Sequence, residues 1–372
     1  MKKTNFTINP WEVKGEINYN RLIKEFGISP IQKLSDEFEK EILFKRKVVF
    51  AQRDFFRILD AIKNKKRFVM MTGLMPSGKF HFGHAILAKQ MIFYQNLGAK
   101  IYIAVADLEA YNTRRKSLRE LREIAIEQYL LNYIALGLKP ENCDFYFQSQ
   151  RSTDAKKSNA YYRLASNLSR YVTFNEFKAI YGDISPGKMN AALIQAADML
   201  HPQLPEFEGE EIPTIIPVGT DQDPHLRLAR DISQRIKSPK FIQLSSTYHL
   251  FAPGLKGDKM SSSDPTSFIA LTDDEKTVKN KINKYAFSGG QPTLEEHRKK
   301  GGNPDIDVSF QYLKMFLEED DKKLEKIHND YKSGKMTTGE LKEYTIKKLN
   351  EFLSEHQRKI QTAKIKAEKM FW

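Results

Sequence analysis

The spacing of apolar residues changes along the chain. Between residues 17 and 65 apolar residues recur near every 3.6 positions, as at Phe50, Phe55 and Leu59, and this period predicts a mostly helical stretch. At residues 68–71 four apolar residues stand together, which is typical of a buried parallel strand. The pattern therefore predicts that helices precede a sheet.

Strand-type and helix-type segments alternate after this point. Turn-forming residues occupy positions 72–79, and residues 84–97 predict a helix that Gly98 ends. Residues 101–106 predict a second buried strand, directly before Asp107. Strand, turn, helix and strand form a βαβ unit, so we expect an α/β fold with a doubly wound, Rossmann-like parallel sheet.

The remaining pattern extends the sheet and then becomes helical. Residues 117–136 predict a helix, and residues 145–147 and 212–218 predict strands. From Asp273 onward the pattern is helical, interrupted by glycine pairs. The predicted regions are a mostly helical N-terminal extension at 1–66, a Rossmann-like domain at 67–268 with a helical insertion at about 111–205, and an α-helical C-terminal domain at 269–372.

The composition narrows the class of protein. The 372 residues are 40% hydrophobic and contain 60 Lys and Arg against 47 Asp and Glu, a net charge of +13. This surplus suits a polyanionic partner such as nucleic acid, although a Lys-rich solvated surface gives the same count. No run of about 18 apolar residues or apolar signal segment is present, so we expect neither a membrane nor a secreted protein. The single cysteine, Cys143, excludes a disulfide framework and fits a reducing cytoplasm.

The first candidate site lies between the first predicted strand and its helix, where the sequence is Pro76-Ser-Gly-Lys-Phe-His81-Phe-Gly83-His84. A helix N-terminus at this edge presents N–H groups and a positive dipole to a phosphate. Gly83 lets a nucleotide approach the backbone, and two imidazoles that donate toward a triphosphate would stabilise the charge developing at its α-phosphorus. A capping pair or a metal site has the same spacing, but a zinc site lacks the Glu of H-E-x-x-H.

The second candidate site is the loop Gly257-Asp-Lys259-Met-Ser-Ser-Ser-Asp-Pro265. Its lysine can place an ammonium group on β- and γ-phosphates while the serine hydroxyls bond phosphate oxygens. An exposed Lys/Ser loop without function is the alternative. Because the two segments lie at the beginning and the end of the predicted sheet, we expect them to bind one triphosphate together.

These two segments resemble the "HIGH" and "KMSKS" signatures of class I aminoacyl-tRNA synthetases. Other stretches are similar to the tryptophanyl-tRNA synthetases of archaeal and eukaryotic type, and the resemblance extends from about residue 9 to residue 360. The similar stretches are Asn9-Pro-Trp-Glu-Val13, Tyr171-Val-Thr-Phe-Asn175, Leu193-Ile-Gln-Ala-Ala197, Gly219-Thr-Asp-Gln-Asp-Pro224, Asn283-Lys-Tyr-Ala-Phe-Ser-Gly-Gly290 and Gly301-Gly-Asn-Pro-Asp-Ile-Asp-Val-Ser309.

The resemblance implies an ATP-dependent ligase. Tryptophan would attack the α-phosphorus of ATP, giving tryptophanyl-adenylate and pyrophosphate, and would then pass to tRNA(Trp). The Rossmann-like domain would be catalytic and the C-terminal domain would bind the anticodon. Mg²⁺ on the phosphates, a homodimer and a cytoplasmic location are also implied.

The resemblance also implies site residues. Protein side chains are not expected to bind the metal ion. The implied residues are His81, Gly83, His84, Lys259, Met260, Ser261 and Ser262 for ATP and catalysis, Gly219, Asp221 and Gln222 for the ribose and substrate, and Glu109, Gln195 and Met71 for tryptophan.

The sequence departs from the better-known eukaryotic members in the specificity pocket. Those members carry Tyr at the position of Met71 and Gln at that of Ala104, where they recognise the indole N–H. They also carry Arg, a phosphate contact, at the position of Leu74. We expect Met71 to pack against the indole, but the partner of the indole N–H is not identified by the sequence.

Three alternatives remain open. A tyrosyl-tRNA synthetase has a similar fold and similar motifs. A small-molecule nucleotidyltransferase also uses an H-x-G-H helix start, but it needs no helical domain of about 100 residues. An RNA-binding paralogue that has lost catalysis is not favoured, because His81, His84 and Lys259 are all present.

Overall fold

The computed structural model describes residues 7–9, 12–14, 19–32, 34–114, 116–258, 260 and 264–371. Two sheets are formed in this part of the chain, a short hairpin of β1 and β2 and a sheet of seven strands. The strands are β1 (Thr7–Asn9), β2 (Glu12–Lys14), β3 (Ser29–Pro30), β4 (Val49–Arg53), β5 (Val69–Leu74), β6 (Lys100–Val105), β7 (Cys143–Phe147), β8 (Thr214–Gly219) and β9 (Ser245–His249).

Helices cover both faces of the large sheet and make up the C-terminal region. Two π-helical segments, Ala125–Leu130 and Leu313–Leu317, directly follow the α-helices that end at Ile124 and Tyr312. The α-helices are α1 (Tyr19–Phe26), α2 (Asp36–Lys40), α3 (Ile42–Lys45), α4 (Phe56–Lys63), α5 (Phe82–Asn96), α6 (Asp107–Arg114), α7 (Leu118–Ile124), α8 (Leu131–Leu136), α9 (Ala155–Leu168), α10 (Phe174–Tyr181), α11 (Pro186–Leu200), α12 (Asp223–Arg235), α13 (Glu275–Tyr285), α14 (Leu294–Lys300), α15 (Val308–Tyr312), α16 (Asp321–Lys332) and α17 (Thr338–Phe371).

The large sheet has the strand order β3-β4-β9-β8-β5-β6-β7. Strands β5 to β9 run parallel, whereas β4 pairs antiparallel with β9 and with β3. The predicted α/β fold with a mostly parallel, doubly wound sheet is therefore confirmed. The β5–α5–β6 unit lies at its centre, so the carboxyl ends of β5, β6 and β8 meet at one edge.

The central strands are mostly apolar, as is typical where both sheet faces are covered. Met70 and Leu74 lie in the core on one face, with the C-terminal helices, whereas Met71 and Ala104 lie in the core on the other. Successive side chains of a strand point to opposite faces, so one continuous apolar run supplies both cores.

The prediction of helical structure around Phe50 is wrong. Residues 49–53 form β4, in which Val49 and Ala51 are fully buried and Phe50 is half-buried. The pairing of β4 with β9 places this short β-branched and aromatic segment at the sheet, and such tertiary pairing overrides a weak helical period. The N-terminal extension therefore adds β3 and β4 to the sheet as well as packing helices beside it.

The C-terminal helices pack directly on the sheet domain. Phe82 of α5 contacts the rings of Tyr312, Phe316 and Phe352. The long helix α17 runs along α8, where His356 bonds Asn132 at 2.8 Å. The apolar core is consequently continuous across the predicted boundary at residue 268. Among the described residues, no helix has the length and apolar character needed to cross a membrane.

Candidate active site

The H-x-G-H segment caps α5. His81 is the N-cap residue, with extended backbone, and its Nδ1 accepts from the Gly83 N–H at 3.1 Å. The His81 N–H in turn donates to His84 Nδ1 at 3.2 Å, and the two rings stack with centroids 3.9 Å apart. The two histidines therefore form a capping pair, which was one of the alternatives for this spacing, and both rings lie at the start of the helix.

The capping bonds determine the chemical form of both rings. Because each Nδ1 accepts a hydrogen bond, each neutral ring carries its proton on Nε2. Burial lowers the pKa of His81 to about 4. Burial, together with the neighbouring His81, holds the pKa of His84 well below its usual range. Near neutral pH the pair therefore consists of uncharged Nε2–H donors.

Aromatic rings hold His84 in place. The Phe80 and Tyr129 rings each lie 5.1 Å from the imidazole centroid, and Tyr129 belongs to the π-helical segment after α7. Tyr129 also packs edge-on against Phe80, at 5.8 Å. Sequence reasoning missed this support, because the apolar pattern of residues 117–136 gives no sign of which ring reaches α5.

The second predicted segment meets the first at Met260. A Cβ added at Gly83 would lie 2.9 Å from a His81 ring carbon and 3.4 Å from Met260 Sδ. Met260 is itself buried. Lys259, Ser261 and Ser262 lie outside the described residues. The structure therefore brings the remote segments together through the residue that follows Lys259.

A cavity of about 510 Å³ lies at the carboxyl edge of the sheet. It extends from the first turn of α5 to the ends of β5, β6 and β8, the position at which open α/β sheets bind ligands. His81 and Met260 lie beside it, against Gly83. The predicted site residues that line the cavity are Met71, Gly83, His84, Glu109, Gln195, Gly219, Asp221 and Gln222.

A buried carboxylate and an amide meet on one wall of the cavity. Glu109 lies in the first turn of α6, and Gln195 of α11 donates from Nε2 to Glu109 Oε2 at 3.2 Å. Gln195 Oε1 is buried and accepts no hydrogen bond from the described residues. A carboxylate beside an unfilled acceptor suits an ammonium group, which offers only donors.

The segment after β8 forms another wall. A Cβ at Gly219 would lie 2.8 Å from Asp221 Oδ1 and from a Phe251 ring carbon, so a side chain there would displace one of these two groups. The turn continues into α12 through Asp223, which is fully buried and accepts from Arg53 at 3.0 Å and from the Tyr248 hydroxyl at 2.6 Å. These bonds fix the turn that presents Asp221 to the cavity.

Asp198 is a cavity residue that sequence reasoning missed. It is 3% exposed, accepts from the Tyr146 and Tyr161 hydroxyls at Oδ1 and from Gln148 Nε2 at Oδ2, each at 2.7 Å. Burial raises its pKa to about 6, although these bonds oppose the rise. A signal was available, because Asp198 follows Gln195 by three residues and such residues share a helix face.

The wall near Met71 is otherwise apolar. Met71 and Ala104 lie on the adjacent strands β5 and β6, and both are buried. Leu74 lines the same cavity.

The cavity lining also includes a basic residue that the sequence analysis missed, Arg114 at the end of α6. Among the described residues, no group of three or more His, Cys, Asp or Glu side chains is placed to hold a metal ion.

A mostly parallel α/β sheet with a histidine-capped helix at its carboxyl edge is the arrangement expected of a class I aminoacyl-tRNA synthetase. A family model described as tRNA synthetases class I (W and Y) matches residues 63–354. The chain belongs to this family.

Individual relatives are similar over nearly the whole chain. A tryptophan–tRNA ligase of Methanocaldococcus jannaschii is 45% identical, and one of Hyperthermus butylicus is 43% identical, with 96% of each chain covered in both cases. The crystal structure of tryptophanyl-tRNA synthetase from Aeropyrum pernix superposes with a TM-score of 0.89 at 42% identity, covering 95% of this chain and 96% of that one.

Proposed function

We propose that the chain is a tryptophan–tRNA ligase that forms tryptophanyl-adenylate from ATP and then charges tRNA(Trp). The observation that carries the proposal is one cavity that joins the histidine-capped start of α5 to the Glu109–Gln195 pair. When a phosphate of ATP lies at the start of α5 and the ammonium group of tryptophan lies at the Glu109–Gln195 pair, the tryptophan carboxylate lies beside the α-phosphorus. Relatives of 37–45% identity that are named tryptophan–tRNA ligases support the substrate.

In the first step, a tryptophan carboxylate oxygen attacks the α-phosphorus and pyrophosphate leaves. The Nε2–H groups of His81 and His84 and the N-terminus of α5 stabilise the charge on the phosphate oxygens. Lys259, Ser261 and Ser262 hold the leaving pyrophosphate, a role supported by the position of Met260. Since no protein nucleophile takes part, positioning and charge stabilisation supply the rate.

Tryptophan is held at three places. Glu109 and Gln195 bind its ammonium group, and Met71 packs against its ring. Asp198 accepts the indole N–H, because it is a second buried carboxylate of the cavity lining and its partners Tyr146 and Tyr161 lie in the same apolar core as Met71. A tyrosine hydroxyl could also donate to Asp198, so this contact alone does not exclude the tyrosyl alternative, which the named relatives do not favour.

The nucleotide ribose and the metal ion bind at the same site. Asp221 and Gln222, presented after Gly219, bond the nucleotide ribose. Mg²⁺ would bind through the phosphates of ATP rather than through protein side chains, since it keeps several waters and binds readily through substrate phosphates, and it would supply additional charge stabilisation there.

The second step needs the remainder of the chain. Residues 67–268 form the catalytic domain, and the helices of residues 269–372 bind the anticodon region of tRNA(Trp). The net charge of +13 favours such a polyanionic partner. The enzyme works in the cytoplasm. It acts as a homodimer, and sedimentation equilibrium would test this oligomeric state.

Pyrophosphate exchange tests the function directly. The purified chain is incubated with ATP, Mg²⁺, labelled pyrophosphate and one amino acid at a time. Exchange that depends on tryptophan is expected, followed by charging of a tRNA(Trp) transcript. Exchange with tyrosine alone would overturn the substrate, and no exchange with any amino acid would favour the non-catalytic paralogue.

A further inference from the structure

A buried arginine lies behind the cavity wall that Asp198 forms. Arg151 is 3% exposed, and its guanidinium carbon lies 3.9 Å from the centroid of the Tyr146 ring and 4.6 Å from that of Phe207. Its Nη2 donates to Asp144 Oδ2 at 2.8 Å. Aromatic faces and a carboxylate partner together stabilise a guanidinium that is removed from water. The arrangement fixes the position of the cation closely.

The first connection from Arg151 to the cavity passes through Tyr146. The face of this ring lies against the guanidinium, and its hydroxyl donates to Asp198 Oδ1 at 2.7 Å. Tyr161 donates to the same oxygen. Among the described residues Oδ2 accepts only from Gln148, so this oxygen keeps a lone pair for another donor.

The second connection passes through His201 to the main chain. Arg151 Nε donates to His201 Nε2 at 3.0 Å, and because an arginine can only donate, the imidazole carries its proton on Nδ1. That Nδ1 donates to the Asp198 carbonyl oxygen at 2.9 Å and to the Ala197 carbonyl oxygen at 3.1 Å. Arg151 therefore sets the tautomer of a ring that holds the last turn of α11.

We propose that Arg151 is a positioning residue for amino-acid specificity, which holds the Asp198 carboxylate through Tyr146 and the Asp198 backbone through His201. This inference rests on the proposed function, since it concerns the carboxylate assigned to the indole N–H. Its consequence is selectivity. A fixed, ionised acceptor distinguishes tryptophan from an isosteric analogue that lacks the N–H, whereas a displaced acceptor does not.

The test compares tryptophan with its benzothienyl analogue, in which sulfur replaces the indole N–H. In Arg151→Met we expect kcat/KM for tryptophan in pyrophosphate exchange to fall about 10-fold, the effect of weakening one hydrogen bond to a charged group. The value for the analogue should change by less than about 2-fold, and the KM for ATP should not change. A general loss of structure would lower kcat/KM for both amino acids alike. The ratio of kcat/KM for tryptophan to that for the analogue therefore reports the positioning of Asp198.

A matched control and a milder variant complete the test. Arg122 also stacks on a ring of β7, with its guanidinium carbon 4.3 Å from the Phe147 centroid, but on the opposite face of the sheet. Arg122→Met should keep the wild-type ratio. Arg151→Lys keeps the charge and loses the fork to Asp144 and His201, so its ratio should be intermediate.

The outcomes separate the two proposals. A wild-type enzyme without tryptophan-dependent exchange overturns the proposed function. A working wild type whose Arg151→Met variant folds and keeps the full ratio overturns only the inference. If that variant does not fold, an unchanged ratio in Arg151→Lys overturns the inference instead.

Discussion

Each histidine of the H-x-G-H motif uses one ring nitrogen to accept a backbone N–H and keeps its proton on the other. The bonds to His81 Nδ1 and His84 Nδ1 impose this tautomer, and burial keeps both rings uncharged. Neutral donors stabilise a developing charge without binding the reactant strongly beforehand, which is what catalysis requires. In the proposed reaction the motif would therefore act through the direction of its N–H groups.

Replacing His84 by Ala should slow the chemical step far more than it weakens substrate binding. Loss of one such donor is expected to lower the single-turnover rate of adenylate formation by about 10²–10³-fold, because the donor acts on charge that develops in the transition state. The Kd for tryptophan, measured by calorimetry, should stay within about 3-fold. An unchanged single-turnover rate would remove His84 from this role.

If Asp198 accepts the indole N–H as proposed, its ionisation gives tryptophan binding its own pH dependence. Its pKa is raised to about 6, so the carboxyl group becomes protonated in the folded enzyme as the pH falls through that value. At saturating ATP, kcat/KM for tryptophan should fall below pH 6, since this parameter reports the form of the enzyme to which tryptophan binds. Asp198→Asn should have a lower and nearly flat profile, and a profile parallel to that of the wild type would contradict the assignment.

The residues of the site differ in how far the sequence could predict them. Glu109 and Gln195 follow from the resemblance, and the structure places them 3.2 Å apart. Asp198, on α11, was missed because its role depends on Tyr146 of β7 and Tyr161 of α9, which donate hydrogen bonds to it. The three-residue spacing from Gln195 places Asp198 on the same helix face, but one sequence does not show which tyrosines of distant segments contact it.

At the scale of elements, the glycine-rich turns of the helical domain are sites of close backbone packing. Gly289 donates to Asp307 Oδ2 at 2.9 Å and accepts from the Asn303 N–H at 2.7 Å. A Cβ at Gly289 would lie 2.0 Å from the Asn303 carbonyl oxygen. The Tyr331 hydroxyl donates to the same Asp307 carboxylate at 2.8 Å. The two glycine motifs therefore form one packed unit around a buried carboxylate.

Gly289→Ala should destabilise the protein by about 3 kcal/mol, the upper end for an overpacked site, because the opposing atoms are backbone and cannot rotate away. Urea denaturation gives this free energy of unfolding. Gly339→Ala is the control, since its added Cβ would meet no atom closer than 4.0 Å. Equal stabilities of the two variants would show that the turns tolerate a side chain.

The elements were predictable where one physical rule dominated. Strands β5 and β6 and helix α5 follow from apolar runs and from the glycine that ends the helix, and the structure confirms them. Strand β9, rich in Ser and Thr, was not predicted, and β4 was assigned to a helix. Both are stabilised by pairing with each other, which a local pattern does not encode.

At the scale of the whole molecule, buried neutral histidines link stability to pH. Burial lowers the pKa of His81 and His356 to about 4 and that of His225 to about 3. The unfolded chain binds protons at these positions below about pH 6.5, whereas the folded chain does not, so stability should fall as the pH drops from 6.5 toward 4. The raised pKa of Asp198 acts in the opposite direction over part of this range.

The urea midpoint should accordingly be lower at pH 5 than at pH 7, because the histidines outnumber the carboxyl groups whose pKa burial raises, Asp198 and Glu41. His356→Gln, remote from the cavity, keeps a donor for Asn132 and should make the dependence shallower. A midpoint that does not change between pH 7 and pH 5 would show that these rings are not buried as neutral groups.

The central claim is that two segments remote in the sequence bind one triphosphate. A crystal structure with tryptophan and a non-hydrolysable ATP analogue tests it most directly. We predict that His84 Nε2 and Lys259 Nζ lie within hydrogen-bonding distance of oxygens of the same triphosphate, with the tryptophan ammonium group at Glu109. A triphosphate held away from His84, or a Lys259 side chain that faces a different cavity, would contradict it.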